Sequence, residues 1–239
     1  MSIDVLENYF EQKVIQQEKL KYSDLKIMEM GSEKRHCDRI KNWNNDVYQN
    51  SNYDKMIEHN LFPKCGAKYY YKKILNVAEH TSIDFNGHYE SISIDLNEPV
   101  PSEHLNRYNF YTNYGTGEHV TSQYSFFKNS HDVCEQGCIM VHALNAEGYA
   151  PGHARWNYKK EFIENLANAN NYQILLFMSK DVLASEAGVL PFQLVCSDTR
   201  VYFVAYKKLE NNSFVSESDF NKLGLIDTGD TRRMDRYNG

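Results

Sequence analysis

Two stretches of the chain gather the residue types that carry out chemistry. Asn113-Tyr114-Gly115-Thr116-Gly117-Glu118-His119-Val120 combines a glycine turn, a carboxylate and an imidazole. An imidazole with an ordinary pKa near ~6.5 can take up a proton at neutral pH, so His119 is a candidate general base. Glu118 could orient it or contact a ligand. The same pair also fits the acidic first turn of a following helix, steadied by the helix dipole. The second stretch begins at His142 and Glu147 and continues through Gly148 to Tyr158. His153 and Arg155 stand there in a polar loop flanked by glycines, facing a substrate or simply the solvent. Tyr149, Trp156 and Tyr158 either wall a pocket or pack the loop. His142 is either a further catalytic imidazole or a hydrogen-bonded one in a semi-buried strand. Three histidines and Glu118 show no recognised metal-ligand spacing, so no metal is expected.

Acids mark three other positions. Glu29-Met30-Gly31 closes an apolar run, and the glycine lets the backbone turn tightly or approach a ligand. The following Ser32-Glu33-Lys34-Arg35-His36 lacks the later glycines of a GxGxxG loop, so a dinucleotide-type pyrophosphate cradle is not expected. Asp84 ends a second short apolar run, where a carboxylate can accept both hydroxyls of a ribose or can cap its own turn. It lies 53 residues beyond Gly31, against roughly 20 in the usual nucleotide-binding unit. An insertion must absorb the excess. Asp95, with Leu96-Asn97-Glu98-Pro99 behind it, could meet an adenine edge, or the prolines could only stiffen a loop.

The elements that must position these residues follow from periodicity. Residues 4–20 read as a leading helix and 24–30 as a buried strand. Residues 32–62 are polar and irregular, a lid or a surface insertion carrying Trp43, Tyr48 and Tyr53. Ala67, Tyr70, Tyr71, Ile74, Leu75 and Ala78 repeat at helical spacing. Strands are expected at 81–84, 91–95 and 109–113, and a helix through Val120, Tyr124, Phe127 and Val133. After Gly137, CIMVHAL is apolar on both faces, as a covered central strand should be. A helix over 158–170 and strands over 172–178 and 201–206 complete the series, with an insertion around Pro191 between the last two. Strands alternating with helices imply an α/β fold whose parallel sheet binds ligands beyond its carboxyl ends. A single domain over residues 1–215 is expected, with an insertion at about 35–62 and a polar C-terminal tail, partly disordered, over 216–239.

Composition narrows the function classes. The 239-residue chain has 26 Lys+Arg against 32 Asp+Glu, and its net charge of -6 offers no general attraction to phosphate backbones. With no contiguous basic stripe and no Asn/Asp-Pro-Pro-Tyr motif, nucleic acid is not the expected substrate. Five cysteines without a CxxC pair read as free thiols in a reducing compartment, and the chain is expected to be cytoplasmic. The acidic start is no signal peptide, and no run of 18 apolar residues predicts a membrane span. A homodimer is the default assembly.

The order of landmarks resembles the class I S-adenosylmethionine-dependent methyltransferases, in the branch acting on small molecules or cell-surface sugars. The matching pieces are IMEMGS at 27–32, SIDFNG at 82–87, IDLNEP at 94–99, TNYGTGEHV at 112–120, the Gly137 strand and GHARWNY at 152–158. The resemblance implies a Rossmann-like, seven-stranded sheet in the order 3-2-1-4-5-7-6, strand 7 antiparallel and inserted at Val201–Tyr206. It implies S-adenosyl-L-methionine as cofactor, held by Glu29, Gly31, Asp84, Phe85, Asp95, Leu96, Asn113, Tyr114 and Gly115. It implies methyl transfer to an oxygen, or secondarily a nitrogen, of a small molecule or sugar. His153, His119, Glu118 and His142 are then the catalytic candidates, and Tyr149, Arg155 and Tyr158 would bind the acceptor. Glu33 and Lys34 replace the later glycines of the family's loop. A different Rossmann-like nucleotide-binding enzyme and a noncatalytic methyltransferase-like subunit are the alternatives.

Overall fold

The computed structural model describes residues 2–3, 5–31, 34–35, 67–87, 90–189 and 200–230. Most of the 35–62 insertion with its three aromatic residues, Pro191, and the last nine residues of the tail lie outside the described residues.

Seven strands form the central sheet: β1 (Lys26–Met30), β2 (Glu79–Asp84), β3 (Ile92–Ser93), β4 (Tyr108–Tyr114), β5 (Cys134–Asn145), β6 (Tyr172–Ser179) and β7 (Val201–Lys208). Their spatial order is β3-β2-β1-β4-β5-β7-β6. The pairs β1–β2, β2–β3, β1–β4 and β4–β5 are parallel, whereas β7 runs antiparallel to both β5 and β6. This is the expected Rossmann-like α/β sheet, last strand included. Ile27, Met28 and Met30 of β1 have no solvent exposure, which follows from helices covering both faces.

On one face α1 (Val5–Gln17) and α4 (Lys180–Glu186) pack through Phe10, Val14 and Leu183 onto Ile27, Phe110 and Phe203. On the other, α2 (Gln123–Val133) and α3 (Lys160–Asn170) bring Phe126, Phe127, Phe162 and Leu166 onto Met28, Met140 and Val204. The Ser122 hydroxyl caps α2 by accepting the Ser125 N–H at 3.1 Å, and α3 stops at Asn171 in the left-handed conformation, φ 53°.

Three of the boundaries that differ from the sequence reading have a local cause. The helix beginning at Ala67 turns π-helical over Tyr70–Ile74, and Asn76 at φ 56° ends the segment, leaving Ala78 exposed. The strand expected over 91–95 shortens to Ile92–Ser93, an exposed edge where long pairing would invite association. Helix α3 begins at Lys160, because Trp156–Tyr158 is a strand.

That strand gives part of the expected polar tail from residue 216 a regular structure among the described residues. Leu225–Asp227 pairs antiparallel with Trp156–Tyr158, and α5 (Glu217–Phe220) is capped by Ser216 accepting the Asp219 N–H at 3.2 Å. Phe220 is wholly buried among Tyr124, Phe127, Phe162 and Phe214, with centroids 5.7–6.1 Å away. A single aromatic anchor outweighs the polar composition around it.

His142, a sequence candidate for catalysis, belongs to the same core. It is 1% exposed, with rings of Tyr111 at 5.1 Å, Phe127 at 5.6 Å and Tyr206 at 6.0 Å. Its Nδ1 lies 3.3 Å from Asn113 Nδ2, which donates, so the imidazole is the neutral tautomer carrying its proton on Nε2. Burial pushes its pKa down to about 3. In this enclosure His142 is a neutral core group, the hydrogen-bonded strand imidazole that its sequence position also allowed, since protonating it would strand a charge among rings.

Two outcomes follow. Phe220→Ala should lower stability by about 3–5 kcal/mol, read as an earlier urea midpoint; an unshifted midpoint would show α5 to be dispensable. For His142, the unfolded state binds a proton below about pH 6.5 while the folded state does not, down to about pH 3. Stability is therefore complete above the unfolded pKa and falls as pH drops through that window. From about pH 8 to about pH 5 His142 alone should withdraw about 2 kcal/mol. Urea unfolding at both values, in the native chain and in His142→Gln, should show a shallower pH dependence in the variant; equal slopes would contradict the assignment.

Candidate functional site

The carboxyl edge of the sheet is shaped at the junction of β1 and β4. Gly31, at φ 89°, donates its N–H to the Ile83 carbonyl at 2.7 Å and so bends the chain off β1. A Cβ at this position would stand 2.0 Å from Thr116 Oγ1. The glycine is demanded both by the turn and by the loop that follows β4. At that loop the Asn113 Oδ1 accepts the N–H groups of Thr116 and Gly117, each at 3.1 Å. These bonds start the 3₁₀ turn Gly117–His119. Gly117 is a second obligatory glycine, because a Cβ there would sit 2.5 Å from the Phe126 ring.

The turn is also held from below its carbonyls. Gln123 Nε2 donates to the Gly117 and Val120 carbonyls at 2.7 and 2.8 Å, and its Oε1 accepts the Tyr158 hydroxyl at 2.6 Å. Tyr158 has no solvent exposure and braces the turn, the packing alternative that its sequence position allowed beside a pocket wall. Burial, then the nearby Glu118 charge, keeps its phenol well above the ordinary range and un-ionised. Sequence reading missed Gln123 because a glutamine in an amphipathic helix carries no signature of its partner.

On this braced turn Glu118 and His119 are 1% and 4% exposed. The loop after β5 brings His153 to them. Its Nε2 is 3.9 Å from Glu118 Oε1, and its ring centroid lies 5.4 Å from that of His119 and 5.0 Å from that of Tyr149. Glu118, His119, His153 and Tyr149, four residues chosen from two separate stretches of sequence, thus converge. His153 is the half-open member of the group, with its side chain 23% exposed.

Arg155 does not join them. Its guanidinium donates from Nε and Nη2 to the Asp227 carboxylate at 2.7–3.0 Å and lies 5.1 Å over the Trp156 ring. The Arg155 hydrogen bonds hold the Asp227 carboxyl below its usual range. In this structure Arg155, expected to bind the acceptor, ties the Leu225–Asp227 strand to Trp156–Tyr158. Asp227 was invisible as its partner because it lay in the supposed tail.

The residues expected around an adenosyl cofactor divide into two sets. Asp84 and Phe85 sit at the mouth of β2 beside Gly31; Asp84 is half-buried, with Oδ1 accepting the Asn86 N–H at 3.1 Å, and Phe85 is 37% exposed. Asp95 is half-buried beyond β3, where its Oδ1 accepts the Asn97 backbone and side-chain N–H groups at 2.9 and 2.7 Å, while Leu96 is buried. These positions lie at the strand mouths where a parallel sheet receives a ligand. The second set is engaged within the protein. Glu29 faces His80, Oε2 to Nε2 3.3 Å, with both side chains almost free of solvent. Both ends of the Asn113 amide are bonded, and the Tyr114 hydroxyl donates to Glu11 at 3.0 Å. Gly115, at φ 87°, supplies the bend between them. His80 and Glu11, buried polar partners on strand and helix, were not singled out by sequence reading. A cleft lies at the opposite edge of the sheet, lined by Glu18, Asp24, Asn109, Gly137 and Lys207, but none of the candidate residues reaches it.

Among the described residues no helix is long and apolar enough to cross a membrane. No protein-family model and no curated protein sequence matches the chain. Solved structures do match. The N-methyltransferase NodS from Bradyrhizobium japonicum, in complex with S-adenosyl-L-homocysteine, superposes with a TM-score of 0.50 at 9% identity, covering 87% of this chain and 89% of that one. The 1,6-didemethyltoxoflavin-N1-methyltransferase of Burkholderia thailandensis gives 0.46 at 8% identity, covering 86% and 78%. An S-adenosylmethionine-dependent methyltransferase from Mesorhizobium loti gives 0.43 at 10%, covering 84% and 99%. With its strand order, its antiparallel β7 and the likeness to NodS, the chain has the class I S-adenosylmethionine-dependent methyltransferase fold.

Proposed function

We propose that the protein transfers a methyl group from S-adenosylmethionine to an oxygen, or secondarily a nitrogen, of a small molecule or sugar. The observation that carries this reading is the division of the carboxyl edge. Asp84 and Asp95 stand at the mouths of β2 and β3, and Glu118, His119 and His153 converge beyond β4 and β5. When bound, S-adenosylmethionine supplies an electrophilic sulfonium methyl. Asp84 would hold the ribose, with Asp95 and Leu96 beside the adenine and Phe85 against its rim. On the acceptor side, His153 would take the hydroxyl proton as the oxygen forms its bond to the methyl carbon and the carbon–sulfur bond breaks. The Glu118 carboxylate, 3.9 Å away, would steady the resulting imidazolium. Tyr149 would line the approach. Orientation and exclusion of water then supply most of the rate.

A noncatalytic subunit is favoured by one observation, the enclosure of Glu29 by His80. Titration with S-adenosylhomocysteine decides between the two. In the catalytic reading it binds and raises the melting temperature. Asp84→Ala should then bind at least tenfold more weakly, since hydrogen bonds to a charged group contribute roughly 1.5–3 kcal/mol. Unchanged affinity in a folded Asp84→Ala protein would sink the ribose assignment.

Catalysis can be read separately, by transfer of radiolabelled methyl to a panel of sugars and small hydroxylated acceptors. His153→Ala with normal cofactor affinity should lose roughly 10²- to 10⁴-fold in turnover. A loss confined to His119→Ala would move the base to His119, and full activity in both would exclude a histidine base.

A further inference from the structure

We propose that Glu118, His119 and His153 bind one divalent first-row transition-metal ion. A Glu118 carboxylate oxygen and one nitrogen from each imidazole all lie within 4.8 Å of one another. A second, independent observation points to a ligand. Glu118 Oε2 is buried and has no hydrogen-bond partner among the described residues, although the Glu118 side chain is only 2% exposed. Its Oε1 is 3.9 Å from His153, beyond hydrogen-bonding distance. A buried carboxylate left in this condition is costly, and a cation among its donors removes the cost.

The donor set selects the ion. Two imidazoles and one carboxylate suit Zn²⁺, Fe²⁺ and their first-row neighbours, and they leave coordination positions open for water or an acceptor. Mg²⁺ and Ca²⁺ favour all-oxygen sites, and a copper(I) site would want sulfur. Bonds of about 2.1 Å in a tetrahedron put ligand atoms about 3.4 Å apart, so the group must contract on binding. Glu118 and His119 are held on the braced turn. His153 is the movable arm, 23% exposed on a loop between Gly152 and Ala154. The linear spacing of 118, 119 and 153 gives no metal signature, because only the fold joins the two loops.

For the methyl transfer proposed above, and resting on that reading, an ion here would take the place of the histidine base: it would coordinate the acceptor oxygen and ease release of its proton. The imidazoles would then act as ligands, with solvent receiving the proton.

The test uses the full chain after chelator treatment and dialysis. Titration calorimetry with Zn²⁺ and with Mn²⁺ is run on the native protein, His153→Ala and Glu118→Gln, with S-adenosylhomocysteine affinity measured in parallel. One equivalent should bind, and each variant should bind at least tenfold more weakly. Co²⁺ should give visible d–d bands without thiolate charge-transfer absorption, which separates this site from the cysteines. His153→Ala keeps the test open if Glu118→Gln misfolds, because His153 is partly exposed. Binding that His153→Ala leaves unweakened, or no binding to the folded native chain at saturating metal, overturns the proposal. Failure of S-adenosylhomocysteine to bind, with the metal retained, would instead overturn the methyltransferase reading.

Discussion

The carboxamide of Asn113 is tied at both ends, and the chemistry of the sheet edge hangs from it. Its oxygen accepts two consecutive backbone N–H groups, at Thr116 and Gly117, and its nitrogen reaches the neutral imidazole of His142 on the next strand. The first pair of bonds converts the end of β4 into the turn carrying Glu118 and His119. The third couples that turn to a core imidazole that cannot be charged without losing its aromatic surroundings. A buried amide with every partner supplied is stabilising and specific, and one with a partner missing is neither.

Around this anchor each neighbour has one permitted identity or nearly so. Gly31 must be glycine because Thr116 fills the place of its side chain, and Gly117 because Phe126 does. Gln123 holds two carbonyls of the turn and is itself held by Tyr158. Tyr158 belongs to the strand that Leu225–Asp227 covers, and Arg155 clamps that strand to Asp227. The described part of the tail therefore reaches the candidate site through a short series of direct contacts.

The opposite face shows a different use of buried charge. Glu11 accepts both the Tyr71 and Tyr114 hydroxyls, at 2.6 and 3.0 Å, and the Tyr71 ring stacks on His80, which faces Glu29. Helix α1, the π-helical segment and strands β1, β2 and β4 are thus linked by polar groups inside an otherwise apolar layer. Two of the residues expected to meet a cofactor, Glu29 and Tyr114, are part of this linkage.

Periodicity alone determined the alternation of strands and helices, since burial on one or two faces writes itself into every third or second residue. The positions of Asp84, Asp95, Glu118, His119 and His153 after strands were legible for the same reason: strand ends follow from periodicity, and a parallel sheet gathers them along one edge. Which of them meet is not a local property. His142 and Tyr158 look as reactive in the sequence as His153 does, yet packing encloses both and leaves His153 half-open. Arg155 looks available until a strand 70 residues later supplies Asp227. The tail looks polar until Phe220 finds its aromatic pocket. Composition and spacing report what a side chain can do; only the tertiary structure decides which partner it has, because desolvation and hydrogen bonding depend on neighbours that are distant in sequence.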